Sequence, residues 1–466
     1  MIRTVLPPII TSFVIIALLA FYPVSKSLAQ DSFGEKPILI VTTDIGGDPD
    51  DQQSLTRLLV YSNEFDIRGL IASASGTRGE LGVDTIKEQL IRDHILAYGK
   101  VHKNLLMHAS GFPDPETLLA RVKKGNPMRG QDHIGEGKDT EGSNWIIKVV
   151  DESGDRPVHV SVWGGQTDLA QALWKVKHTR SSYGFNLFCS KIRVYDINDQ
   201  DGLYPYIRKE FPDIFYILAR APEGTDIREG AYRGMYLGGD ESLTSREWID
   251  TNVRRDHGSL GELYPPETWT APNPHGALKE GDTPSWFFFL PSGLQNSEFP
   301  WWGNWGGRFK ADGNQYYRDD EDFAGGEIDA RSTVSRWRTG FQNDFQARMD
   351  WCVSPYEGAN HRPHAVVMSD DSKEILYVDA RAGEKLSISA LESYDLDGGS
   401  LYFSWWTYPE AGTNLQCPML DNYMSPEVSF VVPKGEFGTE MHLICEVADS
   451  GTPQLTSYRR IVIQIW

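Results

Sequence analysis

The chain has 466 residues and a formal net charge of −20 at neutral pH, from 65 acidic and 45 basic side chains. Nucleic-acid binding needs basic surface, so this acidic balance predicts no nucleic-acid partner. The length is enough for two or three domains with large buried cores. Neutral ligands such as sugars, and cations, are compatible with the charge.

The first residues have the pattern of an export signal. Arg3 supplies a positive charge, and residues 9–22 form an apolar stretch that is short for a membrane span. Residues 27–29, SLA, offer a small-x-small cleavage site. We predict a signal peptide over residues 1–29, a secreted or periplasmic protein, and no stable membrane insertion after cleavage. An uncleaved N-terminal anchor is the alternative.

From residue 36 onwards, short apolar runs typical of buried parallel strands alternate with helical patterns. The runs lie at residues 37–41, 67–72, 158–163, 192–197 and 214–218, and the helical patterns at 54–61, 85–98 and 169–176. This alternation predicts an α/β domain over residues 36–350, with an open, mostly parallel sheet covered by helices on both faces.

After residue 360 the period changes to strand-like alternation. Residues 360–363 have the composition of a linker, and residues 385–390, 401–405 and 441–447 alternate apolar with polar side chains. Short alternating strands separated by turns predict an all-β, immunoglobulin-like sandwich over residues 360–466.

The four cysteines are Cys189, Cys352, Cys417 and Cys445, and their spacing fits no zinc pattern. Export would permit disulfides, and Cys417 with Cys445 is an attractive pair because both fall in one C-terminal segment. Free buried thiols are the alternative, since so large a chain does not need covalent cross-links.

Polar residues follow four of the predicted strands. Asp44 follows the first, residues 73–77 the second, residues 164–167 the third and residues 196–201 the fourth. Ligands of open parallel sheets bind beyond the carboxyl ends of the strands. Four such clusters in register therefore predict a ligand site at this edge of the sheet.

The most informative stretch is residues 42–51, TTDIGGDPDD, with four aspartates within eight residues between a strand and a helix. Carboxylates this close repel one another, and a divalent cation such as Ca²⁺, which takes several oxygen ligands, offsets that repulsion. An exposed acidic helix cap is the alternative, but a cap needs one acid. The Asp-x-Asp pattern of phosphoaspartate chemistry fails, because Ile45 and Gly46 follow Asp44.

This motif resembles the opening of nucleoside hydrolases, where a strand, an aspartate and a turn lead to an Asp-Asp pair at a helix start. Asp44, Asp50 and Asp51 match these positions, although the pair lies two residues further from the first aspartate than is usual in that family. Residues 164–170, GGQTDLA, resemble the family's Gly-Pro-Leu-Thr-Asn segment. Asp282 is the best candidate for the family's last calcium aspartate.

The whole chain is similar to a bacterial branch described as cellulose-binding Sde182-like proteins, which join a nucleoside hydrolase-like domain to a β-sandwich. The segments that carry this resemblance are residues 198–201 (NDQD), 256–261 (DHGSLG), 302–308 (WGNWGGR) and the final sandwich.

The resemblance implies a Ca²⁺ ion held by Asp44, Asp51, Asp282 and the backbone carbonyl of Thr167. It also implies that Asp44 takes the proton of an attacking water and that Asp50 binds sugar hydroxyls. Attack by a single water would invert the anomeric centre.

The proton donor to the leaving group is open at this stage. His257 is a candidate because histidine titrates near neutral pH, with a structural role as the alternative. Asp199 and Asp201 are candidates because a desolvated carboxyl can be held protonated. Asn198 and Asp199 are also predicted to contact substrate.

Aromatic residues are the remaining candidates for substrate contact. Trp302 and Trp305 lie among glycines, which suggests a loop, and aromatic rings stack on sugars. Clustered tryptophan is also common core material. We predict sugar contact for at least one of the two, with core packing as the alternative.

These observations predict a secreted, calcium-dependent glycosidase that hydrolyses a glycosidic bond, including an N-ribosyl or furanosyl bond. Its ligand would be a small molecule, an oligosaccharide, or a plant or microbial polysaccharide. A non-catalytic carbohydrate- or cellulose-binding protein on the same fold is the first alternative. A surface adhesion or scaffold protein that uses the sandwich is the second.

Overall fold

The structure is a computed structural model that describes residues 35–75, 85–268, 276–294, 296–435 and 437–466. The predicted signal peptide lies outside these residues. Among the helices of the described ranges, none combines the length and the apolar character needed to cross a bilayer.

An eight-stranded sheet forms the centre of the α/β region. Its strands are β1 (Ile38–Thr43), β2 (Asp66–Ala72), β3 (Val122–Lys124), β4 (Val158–Val162), β5 (Ile192–Ile197), β6 (Phe215–Ala219), β7 (Phe309–Ala311) and β8 (Tyr316–Asp319). The spatial order is β3-β2-β1-β4-β5-β6-β8-β7, and only β7 pairs antiparallel with its neighbour. Strand order reverses between β1 and β4, and such a switch point is where open sheets bind ligands.

Helices pack against this sheet along most of the α/β region. They are α1 (Asp50–Val60), α2 (Glu88–His108), α3 (Pro115–Arg121), α4 (Glu141–Asp151), α5 (Thr167–Thr179), α6 (Ser182–Ser190), α7 (Tyr204–Glu210), α8 (Arg246–Ile249), α9 (Gly258–Leu263), α10 (Thr283–Phe287), α11 (Ser332–Ser335) and α12 (Arg338–Trp351).

The central strand β1 explains why both faces of the sheet are covered. Leu39 and Val41 belong to an apolar cluster shared with α1, α2 and α12, whereas Ile38 and Ile40 belong to one shared with α4, α5 and α7. Side chains alternate between the two faces of a strand, so a strand that is apolar throughout needs cover on both sides. The predicted α/β class is confirmed.

The C-terminal region is built from β-strands, as predicted. Its strands are β11 (Leu376–Ala380), β12 (Lys385–Ser389), β13 (Tyr402–Thr407), β14 (Glu427–Val431), β15 (Thr439–Ala448) and β16 (Thr456–Ile465), and a hairpin of β9 (Asp322–Ala324) and β10 (Glu327–Asp329) precedes them. One sheet has the order β11-β16-β15-β13 and the other pairs β12 with β14. Trp405, Phe430 and Ile463 contribute to the core of this region. The narrower immunoglobulin-like assignment stays a prediction.

The two tryptophans predicted to contact sugar are core residues. Trp302 is 2% exposed and stacks on Phe299 with ring centroids 4.4 Å apart, and Trp305 is 0% exposed and meets Tyr458 of β16 edge-on. The glycines around them allow close packing, since a Cβ at Gly306 would lie 2.4 Å from a backbone nitrogen. No ring face is left for a sugar, so this prediction is wrong for both residues.

The segment expected to be a linker is fixed in place. Asn360 donates hydrogen bonds to Asp449 and to the carbonyl of Pro453, both at 2.8 Å, and its own carbonyl accepts one from Trp351 at 2.9 Å. Such contacts on both sides make residues 360–363 a buried connection between α12 and the sandwich.

All four cysteines are free thiols. Cys445 is buried on β15 and Cys417 is exposed, so the pairing of these two residues is wrong. The alternative of buried free thiols holds for Cys189, Cys352 and Cys445.

Arg460 of β16 fastens the sandwich to the α/β region. Its guanidinium is buried and donates to the carbonyls of Leu294 at 2.7 Å and Gly303 at 2.6 Å. Arg460→Met would leave both carbonyls without their donor, and we expect the free energy of unfolding to fall by about 2–6 kcal/mol. Chemical unfolding followed by tryptophan fluorescence measures the change.

The matched control is Arg381→Met, because the Arg381 side chain is exposed and lies over the ring of Trp466. We expect this control to change the free energy of unfolding by less than about 0.5 kcal/mol. Equal effects of the two substitutions would contradict the role assigned to Arg460.

Candidate functional site

The carboxyl edge of the sheet brings three carboxylates together at the switch point. Asp50, Asp51 and Asp282 each offer an oxygen, and these oxygens lie within 4.8 Å of one another. Asp50 and Asp51 begin α1, and Asp282 immediately precedes α10. Two of the predicted calcium ligands, Asp51 and Asp282, therefore share one cluster, and Asp50 takes part where Asp44 was expected.

One oxygen of this cluster has no partner among the described residues. Asp282 Oδ2 is buried without a hydrogen bond, whereas Asp51 accepts one from the Thr43 hydroxyl. Burial of an uncompensated carboxylate is costly. Converging carboxylate oxygens with one left unpaired fit a hard divalent cation, because such ions prefer oxygen ligands.

Burial also makes the charged forms of these groups unfavourable without a cation. Burial raises the pKa of Asp51 and of Asp282 well above the ordinary range, and neighbouring aspartates raise it further. The pKa of Asp50 is raised by burial and drawn down by Lys279. A bound cation would favour the ionised form of all three.

Lys279 is an internal cation beside this cluster. Its Nζ lies 3.0 Å from Asp50 Oδ2 and also donates to Asp48, the remaining aspartate of the motif. Burial lowers the pKa of Lys279, but Asp50 and Asp48 more than offset this, so its net shift is upward. Part of the charge of the aspartate loop is therefore compensated by the chain itself.

Asp44 is a neighbour of the three-carboxylate cluster but not one of its members. Its Oδ2 lies 3.3 Å from Arg129 Nη2, and its carboxylate packs so closely on Gly164 that a Cβ there would lie 2.4 Å from Oδ1. Burial raises the pKa of Asp44 to about 7, while Arg129 draws it down. A carboxyl with such a pKa can exchange protons near neutral pH, as a general base must.

Arg129 joins Asp44 to a second carboxylate. Its Nη1 lies 3.1 Å from Asp201 Oδ1, while the backbone N–H and the hydroxyl of Thr167 donate to Asp201 Oδ2 at 3.0 and 2.5 Å. Both oxygens of Asp201 thus accept from donors, which does not support a role as proton donor. Thr167 is the first residue of α5, where carbonyls bond within the helix. The N–H and hydroxyl of Thr167 hold Asp201 in place, and the metal contact of its carbonyl stays a prediction.

His257 is remote from this edge of the sheet. Its Nε2 lies 3.0 Å from Asp350 Oδ1, and the next residue, Gly258, packs on Val101 of α2. The opposite end of α2 adjoins the site, because Lys87 Nζ donates to the carbonyl of Gly46. The rise of 1.5 Å per residue puts Val101 about 20 Å from Lys87. The prediction of His257 as proton donor is wrong, and the structural alternative holds.

Asn198 and Asp199 form a turn of left-handed backbone at the end of β5, with φ of 71° and 50°. Gln166, which is fully buried, donates to Asp199 at 2.7 Å and to Asp196 at 2.8 Å, and accepts from the N–H of Asp201 at 3.1 Å. Strained backbone of this kind concentrates at functional sites. The side-chain amide of Gln166 thus holds the turn in place. The Asn198 side chain is half-buried and lies at the surface of the turn.

Three residues of this site, Arg129, Lys279 and Gln166, were missed from the sequence. Gln166 lies within a segment already recognised as a strand end. Arg129 follows β3, a strand of only three residues that gives no clear apolar run. Lys279 precedes the predicted ligand Asp282 by three positions, and that proximity is the one signal that could have drawn attention to it.

Fold and site together define a nucleoside hydrolase-like α/β protein that carries a C-terminal β-sandwich. The family model for the nucleoside hydrolase-like domain of cellulose-binding Sde182 matches residues 38–309, and that for the C-terminal domain of cellulose-binding protein Sde0182 matches residues 385–465. The chain belongs to this Sde182 family.

A solved structure from Saccharophagus degradans supports this membership. It is described as a nucleoside hydrolase-related hypothetical protein associated with carbohydrate metabolism, and it is 35% identical with a TM-score of 0.78. The match covers 93% of this chain and 100% of that one.

Two effector proteins match at much lower similarity. XOO4466 is 11% identical with a TM-score of 0.37, covering 69% of this chain and 95% of its own. The type III effector XopQ, solved with adenosine diphosphate ribose, is 12% identical with a TM-score of 0.32, covering 69% and 96%. At these scores neither match bears on this chain. No curated protein matches the chain significantly.

Gly164 packs directly against the Asp44 carboxylate, and any residue with a Cβ at this position would collide with it. Gly164→Ala would put a Cβ 2.4 Å from Asp44 Oδ1, so the carboxylate or the β4 loop must move. We expect the free energy of unfolding to fall by about 1–3 kcal/mol, as for other overpacked sites. Chemical unfolding checks this value. Gly184→Ala is the control, since the nearest atom to its Cβ would lie 3.5 Å away; a similar loss there would contradict the specific contact with Asp44.

Lys279 competes electrostatically with any cation bound by Asp50. Lys279→Met removes the positive charge 3.0 Å from Asp50 Oδ2. We expect calcium affinity, measured by titration calorimetry, to rise by tenfold or more, which is about 1.4 kcal/mol. Lys175→Met, which removes a surface partner of Asp139, is the control. Equal calcium affinity in the Lys279 variant and wild type would mean that the ion binds elsewhere.

Proposed function

We propose that the chain is an exported, calcium-dependent glycosidase that hydrolyses a glycosidic bond by direct attack of water. The observation that carries this proposal is the convergence of Asp50, Asp51 and Asp282, whose oxygens lie close together while Asp282 Oδ2 has no hydrogen-bond partner among the described residues. This cluster lies next to Asp44 at the switch point of the sheet. Membership of a carbohydrate-linked family supports a sugar substrate, drawn from oligosaccharides or fragments of plant or microbial polysaccharide.

The donor set favours calcium over the common transition metals. Asp50, Asp51 and Asp282 would hold the ion through carboxylate oxygens, which calcium prefers, whereas zinc and copper favour histidine and cysteine. When bound, the ion would supply positive charge beside the reacting centre. The chain itself offers Lys279, which lies 3.0 Å from Asp50, and Arg233, which lowers the pKa of Asp50 and Asp282.

Asp44 is the proposed general base. Its pKa of about 7 lets it be ionised near neutral pH and still take a proton from the attacking water. Arg129 holds the carboxylate in position from one side. Attack by one water inverts the anomeric configuration, and the surrounding carboxylates stabilise the positive charge that develops on the sugar.

The substrate would be bound along the same edge of the sheet. Asp50, Asn198 and Asp199 are the proposed partners of sugar hydroxyls. Neither His257 nor Asp201 is arranged to protonate a leaving group. Asp199, whose pKa burial raises, is the remaining candidate for that role. Aryl glycosides and nucleosides, whose leaving groups depend less on such a donor, are included among the proposed substrates.

The second candidate is a carbohydrate-binding protein without turnover. The specific observation in its favour is that Arg129 and Lys279 already pair with Asp44, Asp48 and Asp50. A site that is compensated in this way is stable without a metal and presents hydrogen-bonding groups to a glycan. This candidate predicts retention of glycans without release of sugar.

A substrate panel with matched variants tests both candidates. We expect sugar release from at least one member of a panel of nucleosides, aryl furanosides, aryl pyranosides and plant oligosaccharides, with loss of activity in EDTA. Asp44→Asn should lower kcat by roughly 100-fold or more with calcium affinity retained, because only the base is removed. Asp282→Asn should instead weaken calcium binding, because it alters a ligand. Asp139→Asn, at a surface ion pair with Lys175, is the control.

The outcomes separate the two candidates. Calcium binding and glycan retention without hydrolysis of any substrate would replace the glycosidase with the binding protein. Hydrolysis that survives both EDTA and Asp44→Asn would contradict the proposed chemistry.

A further inference from the structure

A chain of two histidines and an aspartate joins the sandwich to the α/β region, away from the carboxylate cluster. His108, the last residue of α2, has its Nδ1 2.9 Å from Nε2 of His361, and Nδ1 of His361 lies 3.0 Å from both carboxylate oxygens of Asp397. At the other end, His108 Nε2 lies 2.9 Å from the carbonyl oxygen of Ser354. Both imidazoles are buried.

The number of hydrogens in this chain is fixed by its partners. A carbonyl and a carboxylate can only accept, so His108 Nε2 and His361 Nδ1 must each carry a hydrogen. The contact between the two rings needs a third. Two neutral imidazoles carry only two ring hydrogens, so the fully bonded chain contains one imidazolium, balanced by Asp397.

The surroundings assign this charge to His361, which contacts the carboxylate directly. Burial lowers the pKa of His108, which is consistent with a neutral ring protonated on Nε2. The charged side chains that act on His108 are Asp397 and Glu357, both anionic, together with His361 itself. Asp395 acts on Tyr356, whose ring stacks on His361 with centroids 4.0 Å apart.

We propose that His108, His361 and Asp397 form a proton-dependent latch between the sandwich turn at residues 395–399 and the end of the α/β region. In the protonated state all three contacts are hydrogen bonds. Loss of one proton leaves two lone pairs facing each other at about 3 Å, either between the rings or at Ser354. The latch therefore stabilises the junction at low pH, and its contribution disappears when the chain loses this proton as the pH rises.

The variant Asp397→Asn tests whether the extra proton is needed for the contact between residue 397 and His361. The amide of asparagine can donate to His361 Nδ1, while its oxygen keeps the hydrogen bond that Asp397 Oδ2 accepts from the backbone N–H of His361 at 2.8 Å. The chain then needs only two ring hydrogens, which two neutral imidazoles supply. This variant should keep the latch closed at every pH at which the protein is folded.

Hydrogen–deuterium exchange of the full chain at pH 6 and pH 8 provides the measurement, with each rate divided by its intrinsic exchange rate. In the wild type we expect protection of amides in residues 355–363 and 393–400 to be about tenfold lower at pH 8, the equivalent of one hydrogen bond. In Asp397→Asn the two values should agree within about twofold. His178→Gln, which alters an exposed histidine bonded within its own helix, should follow the wild type.

Asp397→Ala removes the acceptor of both the His361 ring and the His361 backbone N–H and supplies no donor, so its protection at pH 6 should fall at least to the wild-type value at pH 8. Wild-type protection that is the same at both pH values would overturn the latch. An Asp397→Asn variant whose protection depends on pH as much as that of the wild type would also overturn the latch. The same holds for an Asp397→Asn variant that loses protection at both pH values, because the amide would then have failed to replace the charged contact.

Discussion

Compensation of buried negative charge at the carboxyl edge of the sheet is the constraint on which this site depends. The strand β1 ends at Thr43 and α1 begins at Asp50, and the motif that joins them buries Asp44, Asp48 and Asp51. Buried carboxylates need partners, and here the chain brings two cations from distant segments, Arg129 and Lys279. The arrangement of the loops after β3 and before α10 follows from this requirement.

The compensation is uneven, and the difference distinguishes the two halves of the site. Arg129 pairs with both Asp44 and Asp201, and Thr167 donates further hydrogen bonds to Asp201. Around Asp51 and Asp282 one buried oxygen has no partner among the described residues. Electrostatics therefore points to the second half of the site as the place for an additional cation.

The parts of the fold and site that could be predicted from the sequence are those with local signals. The apolar run of β1 and the aspartates directly after it occupy one short segment, and strand ends in register imply proximity. Arg129 and Lys279 could not be assigned in this way, because their roles depend on which carboxylates the fold brings within about 3 Å. Trp302 and Trp305 were misassigned for a related reason: glycines suggested an open loop, but the sandwich covers it.

The shared core changes how the two regions can be studied. Asp322 of the β9–β10 hairpin is fully buried and accepts from Arg308 and Arg336 at 2.7 Å and from the Tyr408 hydroxyl, which the sandwich contributes. Deletion of the sandwich would remove one donor and expose the large aromatic surface around Trp305. A loss of activity in such a truncation would report on unfolding as readily as on carbohydrate binding. Point substitutions that leave this interface intact are therefore the only clean way to separate the contribution of the sandwich from that of the sheet edge.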